Sequence, residues 1–234
     1  QMIDRTGFAM AQQDVRYYLN GMYMEIKEGR LRFVATDGHR LALCTAPGQV
    51  EAEDKSVIVP RKGILELSRL LDADGSVTLT VGSNHIRAAT DQFTFTSKLI
   101  DGKFPEYERV LPRSPDKSVT GDRRELRQAF TRTAILSNEK YRGVRLALTN
   151  GSLEITANNP EQEQAEEMVP VDYSGEALEV GFNVSYLLDV LGVLSGSTVR
   201  MSLSDSASSA LVEDGDAGGE TDAEALYVVM PMRL

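Results

Sequence analysis

YLNGMYMEIKEGRLRFVATDG (Tyr18–Gly38) and YRGVRLALTNGSLEITANN (Tyr141–Asn159) carry one pattern twice. In the first stretch Met22, Met24 and Ile26 alternate up to a Glu28-Gly29 turn. Leu31, Phe33 and Ala35 then alternate down to Thr36-Asp37-Gly38. In the second, Val144, Leu146 and Leu148 lead to Asn150-Gly151, and Leu153, Ile155 and Ala157 lead to Asn158-Asn159. Period-two alternation on both sides of a turn dipeptide predicts a β-hairpin with one buried face. A second pair keeps the register: Val59-Pro60-Arg61-Lys62-Gly63-Ile64-Leu65-Glu66-Leu67 lies over Val180-Gly181-Phe182-Asn183-Val184-Ser185-Tyr186-Leu187-Leu188. Gly21 over Gly143 and Val59 over Val180 share one offset to within a residue. The chain therefore reads as a tandem pair of similar domains.

A chain of 234 residues is long enough for two domains of roughly 115, each with its own core. Between the copies runs Asp101-Gly102-Lys103-Phe104-Pro105 through Pro112-Arg113-Ser114-Pro115-Asp116, whose prolines favour extended chain. The expected domains are residues 1–114 and 115–234. Helical spacing appears at Met2–Gln12, at Gly63–Leu71 behind Pro60, at Leu126–Leu136, and at Val184–Leu191 behind the candidate N-cap Asn183. The rest alternates as strands, among them His39–Cys44, Ser56–Pro60, Val77–Val81, His85–Ala89, Phe93–Lys98, Lys117–Thr120, Val199–Leu203, Ala207–Val212 and Tyr227–Met232. Strands outnumber helices and no βαβ alternation occurs, so the expected class is α+β, with antiparallel sheets carrying helices on one face. The first copy opens inside a helix at Gln1, whereas the second has a strand and a full helix, so a fragment lacking its own start is expected.

Hydrophobic residues make up 41% and charged residues 26%, as in ordinary soluble domains. No apolar run approaches the roughly 18 residues of a membrane span, and no signal peptide opens the sequence. One cysteine, Cys44, excludes an intramolecular disulfide and a Cys-rich zinc site, and fits a reducing, cytoplasmic compartment. On an alternating strand it reads as a small buried hydrophobe.

The net charge of −10 argues against nucleic-acid binding by the whole surface. Local basic faces remain: Arg61, Lys62 and Arg69 against Glu66, and Arg123, Arg124, Arg127 and Arg132 against Glu125. Acid gathers at Glu161, Glu163, Glu166 and Glu167, and in the Gly-rich stretch holding Glu213, Asp214, Asp216, Glu220, Asp222 and Glu224. Asp37-Gly38-His39 could pair a carboxylate with a histidine base, but no nucleophile is placed beside it, and Asp-Gly is turn chemistry. No Walker loop, HExxH or Gly-x-Ser-x-Gly occurs. No catalysis, no metal and no cofactor are expected.

Asp14-Val15-Arg16-Tyr17-Tyr18-Leu19-Asn20-Gly21, Ala35-Thr36-Asp37-Gly38-His39-Arg40-Leu41 and Val57-Ile58-Val59-Pro60-Arg61-Lys62-Gly63 resemble the bacterial DNA polymerase III beta subunit, the sliding-clamp family. So do Ile135-Leu136-Ser137-Asn138-Glu139-Lys140 and the terminal Tyr227-Val228-Val229-Met230-Pro231-Met232-Arg233-Leu234. The resemblance runs the whole length and covers the second and third of that family's three clamp domains, without the first. It implies a non-catalytic processivity factor for DNA replication. Two subunits close head to tail around duplex DNA of any sequence, and any nucleotidyltransferase activity belongs to the DNA-directed DNA polymerase holoenzyme.

The resemblance also implies residue roles. Polymerase III alpha subunit, clamp loader and repair polymerases carry a Gln-Leu-x-Leu-Phe-type peptide that docks in a pocket between the two domains. Carried over from the first copy are Leu19, Thr36, Gly38, His39, Arg40, Leu41, Pro105, Arg109 and Val110, with Arg16 at the rim. From the second come Asn183, Tyr186, Ala207, Ser209, Val228, Val229, Met230, Pro231, Met232, Arg233 and Leu234. DNA contacts fall on Gln13, Tyr17 and Tyr18, and on the basic helices through Arg61, Lys62, Arg123 and Arg127. The homodimer interface takes Ile135, Leu136, Glu161, Glu163, Glu166 and Glu167, whose basic partners would lie in the missing domain, so the fragment is expected not to close the ring. Another reading of the same duplication is a peptide-binding adaptor that never encircles DNA.

Overall fold

The computed structural model describes residues 1–72, 74–216 and 224–233. They divide into two compact units, residues 1–107 and, apart from Glu224 and Ala225, residues 108–233.

In the first unit β1 (Gly21–Lys27) and β2 (Arg30–Thr36) form the expected hairpin, Met24 facing Phe33 and Ile26 facing Leu31. Glu28 and Gly29 both take positive φ, 52° and 72°, as the tight turn between right-twisted strands requires. β3 (Arg40–Thr45) pairs with β2, and β4 (Lys55–Pro60) with β1, giving the order β4-β1-β2-β3. Gly21 lies opposite Pro60, where a Cβ would run into the Val59 carbonyl oxygen, so the repeated glycine marks a close strand approach. α2 (Arg61–Leu70) follows β4 directly and buries Ile64 and Leu67. β5 (Thr78–Val81), β6 (His85–Ala89) and β7 (Thr94–Lys98) make a separate antiparallel sheet.

The opening helix is shorter than its spacing suggests. α1 covers only Met2–Thr6, a 3₁₀ turn takes Gly7–Ala9, and Met10 is extended. The Thr6 hydroxyl bonds the Met2 carbonyl at 2.7 Å, Gly7 follows with its low helix propensity, and the helix goes no further.

The second unit repeats the plan. β9 (Gly143–Thr149) and β10 (Ser152–Asn158) are the second hairpin, β11 (Gln164–Pro170) lies on β10, and β12 (Leu178–Asn183) on β9. The order β11-β10-β9-β12 restates β3-β2-β1-β4. α4 (Val184–Val193) follows β12 as α2 follows β4, and the Asn183 side chain caps it by accepting from Ser185 N at 2.9 Å. β8 (Lys117–Asp122), β13 (Thr198–Leu203), β14 (Ala210–Asp214) and β15 (Glu224–Val229) form the other sheet, one strand more than β5-β6-β7. α3 (Arg123–Ala134) starts three residues ahead of its apolar stripe because Asp122 caps it, accepting from Glu125 N at 2.8 Å. Leu126 and Phe130 of α3, and Leu187, Val190 and Leu191 of α4, are buried, each large apolar side chain contributing about 1.5–3 kcal/mol.

Three strand expectations need correction. β14 begins at Ala210 rather than Ala207, because the Asp205 carboxylate holds Ala207 N in a turn at 2.8 Å. β15 ends at Val229, since Pro231 has no N–H for a ladder, and Met232 instead makes an isolated bridge to Gly181. β11 was hidden in an acidic cluster: Glu166, Met168 and Pro170 face outward while Val169 is buried. Cys44 is fully buried, and that burial pushes its thiol pKa up.

Candidate partner and DNA-contact residues

In the first unit the Thr36–Arg40 turn is built from side-chain bonds. Asp37 Oδ1 accepts from His39 N and Arg40 N at 2.9 and 3.1 Å, and Asp37 Oδ2 accepts from Arg40 Nε at 3.1 Å. The carboxylate is thus committed to the turn and to Arg40. Arg40 also donates to the Phe8 carbonyl at 3.0 Å and lies over the Phe8 ring. Gly38 has φ +90°, and a Cβ there would sit 2.9 Å from Arg16 Nη1. Arg16 itself grips both Asp14 oxygens, at 3.0 and 2.8 Å, and donates to the Asp37 carbonyl. These bonds hold the Asp14 carboxyl at a pKa of about 2. Leu19 and Leu41 are 2% and 4% exposed, so both belong to the core beneath this turn.

The loop before β1 carries Gln13, Tyr17 and Tyr18. Asn20 fixes its base, accepting from Asp14 N and donating to Asp14 O. Tyr17 is 56% exposed and meets Tyr18 edge-on at 5.6 Å, while a Cβ on Gly102 would press on both. A buried threonine back-bonded to the carbonyl four residues earlier recurs in each unit, as Thr6 and as Thr133. The path from Thr6 to Gly21 is longer than that from Thr133 to Gly143, and the extra length is this loop. Pro105 is exposed, flanked by buried Phe104 and Tyr107.

In the second unit the chain end is pinned to β12 by the Met232 N–Gly181 O bond of 2.8 Å. Asn183 and Tyr186, half-buried, lie on the adjoining cap and first turn of α4. Met230 is 41% exposed and accepts through sulfur from the Ser209 hydroxyl at 3.3 Å. Pro231 and Met232 are half-buried, while Ala207, Arg109, Val110 and Arg233 are exposed. Val228 and Val229 are 1% and 0% exposed and support this surface from below. Leu234 lies outside the described residues.

The basic helices divide by task. Arg123 donates to the Gly196 and Leu191 carbonyls at 2.6 and 3.2 Å, closing the C-terminal end of α4. Its guanidinium is committed to those two carbonyls. Arg124, part of the same basic face but not among the DNA contacts the resemblance implies, is exposed, as is Arg127. The cationic groups of Arg61, Lys62, Arg124 and Arg127 have no ion-pair partner among the described residues.

Of the expected interface residues, Ile135 is 75% exposed and Leu136 half-buried. Glu161, Glu163 and Glu166 are exposed, whereas Glu167 is clamped by Arg132 at 2.6 and 2.9 Å. That pair lowers the Glu167 pKa. Glu220 and Asp222 of the second acidic stretch lie outside the described residues. Among the described residues no group of three or more His, Cys, Asp or Glu is placed to hold a metal ion, and no helix is long and apolar enough to cross a membrane.

Two α+β units of one plan, each a four-stranded hairpin sheet backed by helices and joined to a second antiparallel sheet, define a tandem of DNA-clamp domains. The chain belongs to the DNA polymerase III beta-subunit family, the beta sliding clamps: the family models described as the central domain and the C-terminal domain match residues 1–106 and 108–233. It is 66% identical to the beta sliding clamp of Pseudomonas aeruginosa over 236 residues, covering 100% of this chain and 63% of that protein. To the beta sliding clamp of Escherichia coli K12 it is 56% identical over 235 residues, with the same coverage. The solved P. aeruginosa DNA polymerase sliding clamp with ligand superposes with a TM-score of 0.95 at 66% identity, covering 100% of this chain and 63% of that one. The P. aeruginosa clamp bound to griselimycin gives 0.94 at 66%, covering 100% and 62%. The chain spans about 63% of the length of the curated relatives it matches.

Proposed function

We propose that these two units serve in a DNA sliding clamp, a non-catalytic processivity factor that surrounds duplex DNA and tethers polymerases through short peptides. The observation that carries the reading is the match of both clamp-domain models, end to end, over one chain.

DNA contact falls to Arg61, Lys62, Arg127 and, in place of Arg123, Arg124, with Gln13, Tyr17 and Tyr18 on the loop before β1. The first turn of α2 supports this choice: it holds two cations and no acid against the positive end of the helix dipole. That placement costs each cation about 0.3–1 kcal/mol, and a phosphate would relieve it. Such contacts read charge, not sequence.

The partner peptide is assigned to Gly38, His39, Pro105, Val110, Tyr186, Met230, Pro231 and Met232, whose accessible apolar atoms suit Leu and Phe side chains. Assigned with them are the buried Leu19, Leu41, Val228 and Val229, the half-buried Thr36, Arg40, Asn183 and Ser209, and the exposed Arg16, Arg109, Ala207 and Arg233; Leu234 completes the set. Ile135, Leu136, Glu161, Glu163 and Glu166 are assigned to contact between subunits. Glu167 joins them only if its pairing with Arg132 gives way.

The test is binding of two duplexes of unrelated sequence at stepped salt. Equal affinities that fall steeply with salt are expected. A preference for one duplex, or affinity indifferent to salt, overturns the reading.

A further inference from the structure

Period-two alternation in β1 puts Met22, Met24 and Ile26 on the core face and leaves Tyr23 and Glu25 on the other, where water is the ordinary neighbour. That face is covered instead. Glu25 is 13% exposed, and its carboxylate accepts from Tyr107 Oη at 2.7 Å, with Tyr23 Oη and Arg32 Nη1 both at 3.4 Å. Arg32 faces Glu25 across the hairpin and reaches the Tyr107 hydroxyl at 3.5 Å. The Tyr23 ring stacks on Phe104 at 4.6 Å and 9° and meets Tyr107 at 6.1 Å. Phe104 and Tyr107 are 6% and 5% exposed, though they flank the exposed Pro105 in a segment without strand or α-helix. Burial first, and then the Glu25 carboxylate, push the Tyr107 phenol well above its ordinary pKa.

The duplication shows that the fold does not need this arrangement. At the matching places the second hairpin has Arg145 for Tyr23, Ala147 for Glu25 and Glu154 for Arg32, with Ala147 facing Glu154 as Glu25 faces Arg32. The same sheet forms without the network. Two large aromatic anchors and a carboxylate with three donors therefore serve the segment they fasten.

We propose that Glu25, Arg32 and Tyr107 are positioning residues for the partner-peptide site, fastening residues 104–107 to the face of the β1–β2 hairpin and so holding Pro105 where a partner segment meets it. None of the three is among the residues assigned to the peptide above. The inference rests on the partner-site reading above, and its test keeps the two apart.

Tyr107→Phe keeps the ring and removes the hydroxyl, and Glu25→Gln keeps the shape and removes the charge. In the 234-residue chain each is assayed with a labelled Gln-Leu-x-Leu-Phe peptide and by trypsin cleavage after Lys103 under native conditions. The expected result is peptide binding weakened about three- to tenfold in each variant, about 0.7–1.4 kcal/mol. The double variant should be no weaker than either single, and cleavage at Lys103 should be faster in all three. Unchanged cleavage, additive effects, or a lowered unfolding midpoint with unchanged peptide affinity overturns the proposal. Met230→Ala is the control for the site itself. If it weakens binding and Tyr107→Phe does not, only the positioning role fails. If it leaves binding untouched, the site assignment fails.

Discussion

Replacing Gly38 by alanine puts a methyl group where the backbone and a neighbour both refuse it. At φ +90° an L-residue is strained by about 1–2 kcal/mol relative to glycine. The new Cβ would also lie 2.9 and 3.0 Å from the two terminal nitrogens of Arg16, which donates to the Asp37 carbonyl and to both Asp14 oxygens. Gly48 provides the reference: its φ is +75°, and a Cβ there meets nothing within 4 Å. Gly48→Ala should lose the backbone strain alone, about 1–2 kcal/mol by urea denaturation. Gly38→Ala should lose more, and Arg16→Ala in the same chain should return part of the excess. Equal losses at the two glycines, or an excess that survives removal of the Arg16 guanidinium, would refute the close-approach argument.

Arg124→Ala should lower the salt slope of duplex binding by about one, whereas Arg123→Ala should leave the slope alone and lower the unfolding midpoint by uncapping α4. Asp216 is held at about 2, below an ordinary 3.8, by the Ser197 and Thr198 hydroxyls and amides. Its stabilisation is present above pH 3.8 and lost as pH falls toward 2. Asp216→Ala should accordingly be less stable at neutral pH, and its acid titration should be flatter in that window. Phe130→Ala, at 1% exposure, should cost about 3–5 kcal/mol in urea, whereas Met230→Ala, at 41%, should leave the midpoint within about 0.5 kcal/mol of wild type.

The duplicated hairpin was legible because strand alternation and turn dipeptides are local signals: Met24 facing Phe33 and Leu148 facing Leu153 follow from period two alone. Asn183 as a cap was legible for the same reason. β11 was not, because its inward residues are few and its Glu side chains read as a solvated run. Arg123 and Arg124 are adjacent in sequence and differ only in which way the first turn of α3 points them, toward the α4 carbonyls or toward solvent. The role of Glu25 was beyond any sequence pattern, since its partner Tyr107 lies far along the chain and gives no periodic signal. Leu41, a candidate pocket residue, proves to be core at 4% exposure, so a Leu41→Ala result would mix folding with binding.

Met230 avoids that confusion, because its side chain is accessible and its removal disturbs little of the core. Titration of a Gln-Leu-x-Leu-Phe peptide against wild type and Met230→Ala is the most direct measurement of whether these units dock partners. Saturable one-to-one binding that weakens in the variant, with both proteins equally folded, is the predicted result. No binding, or identical binding to both, would contradict it.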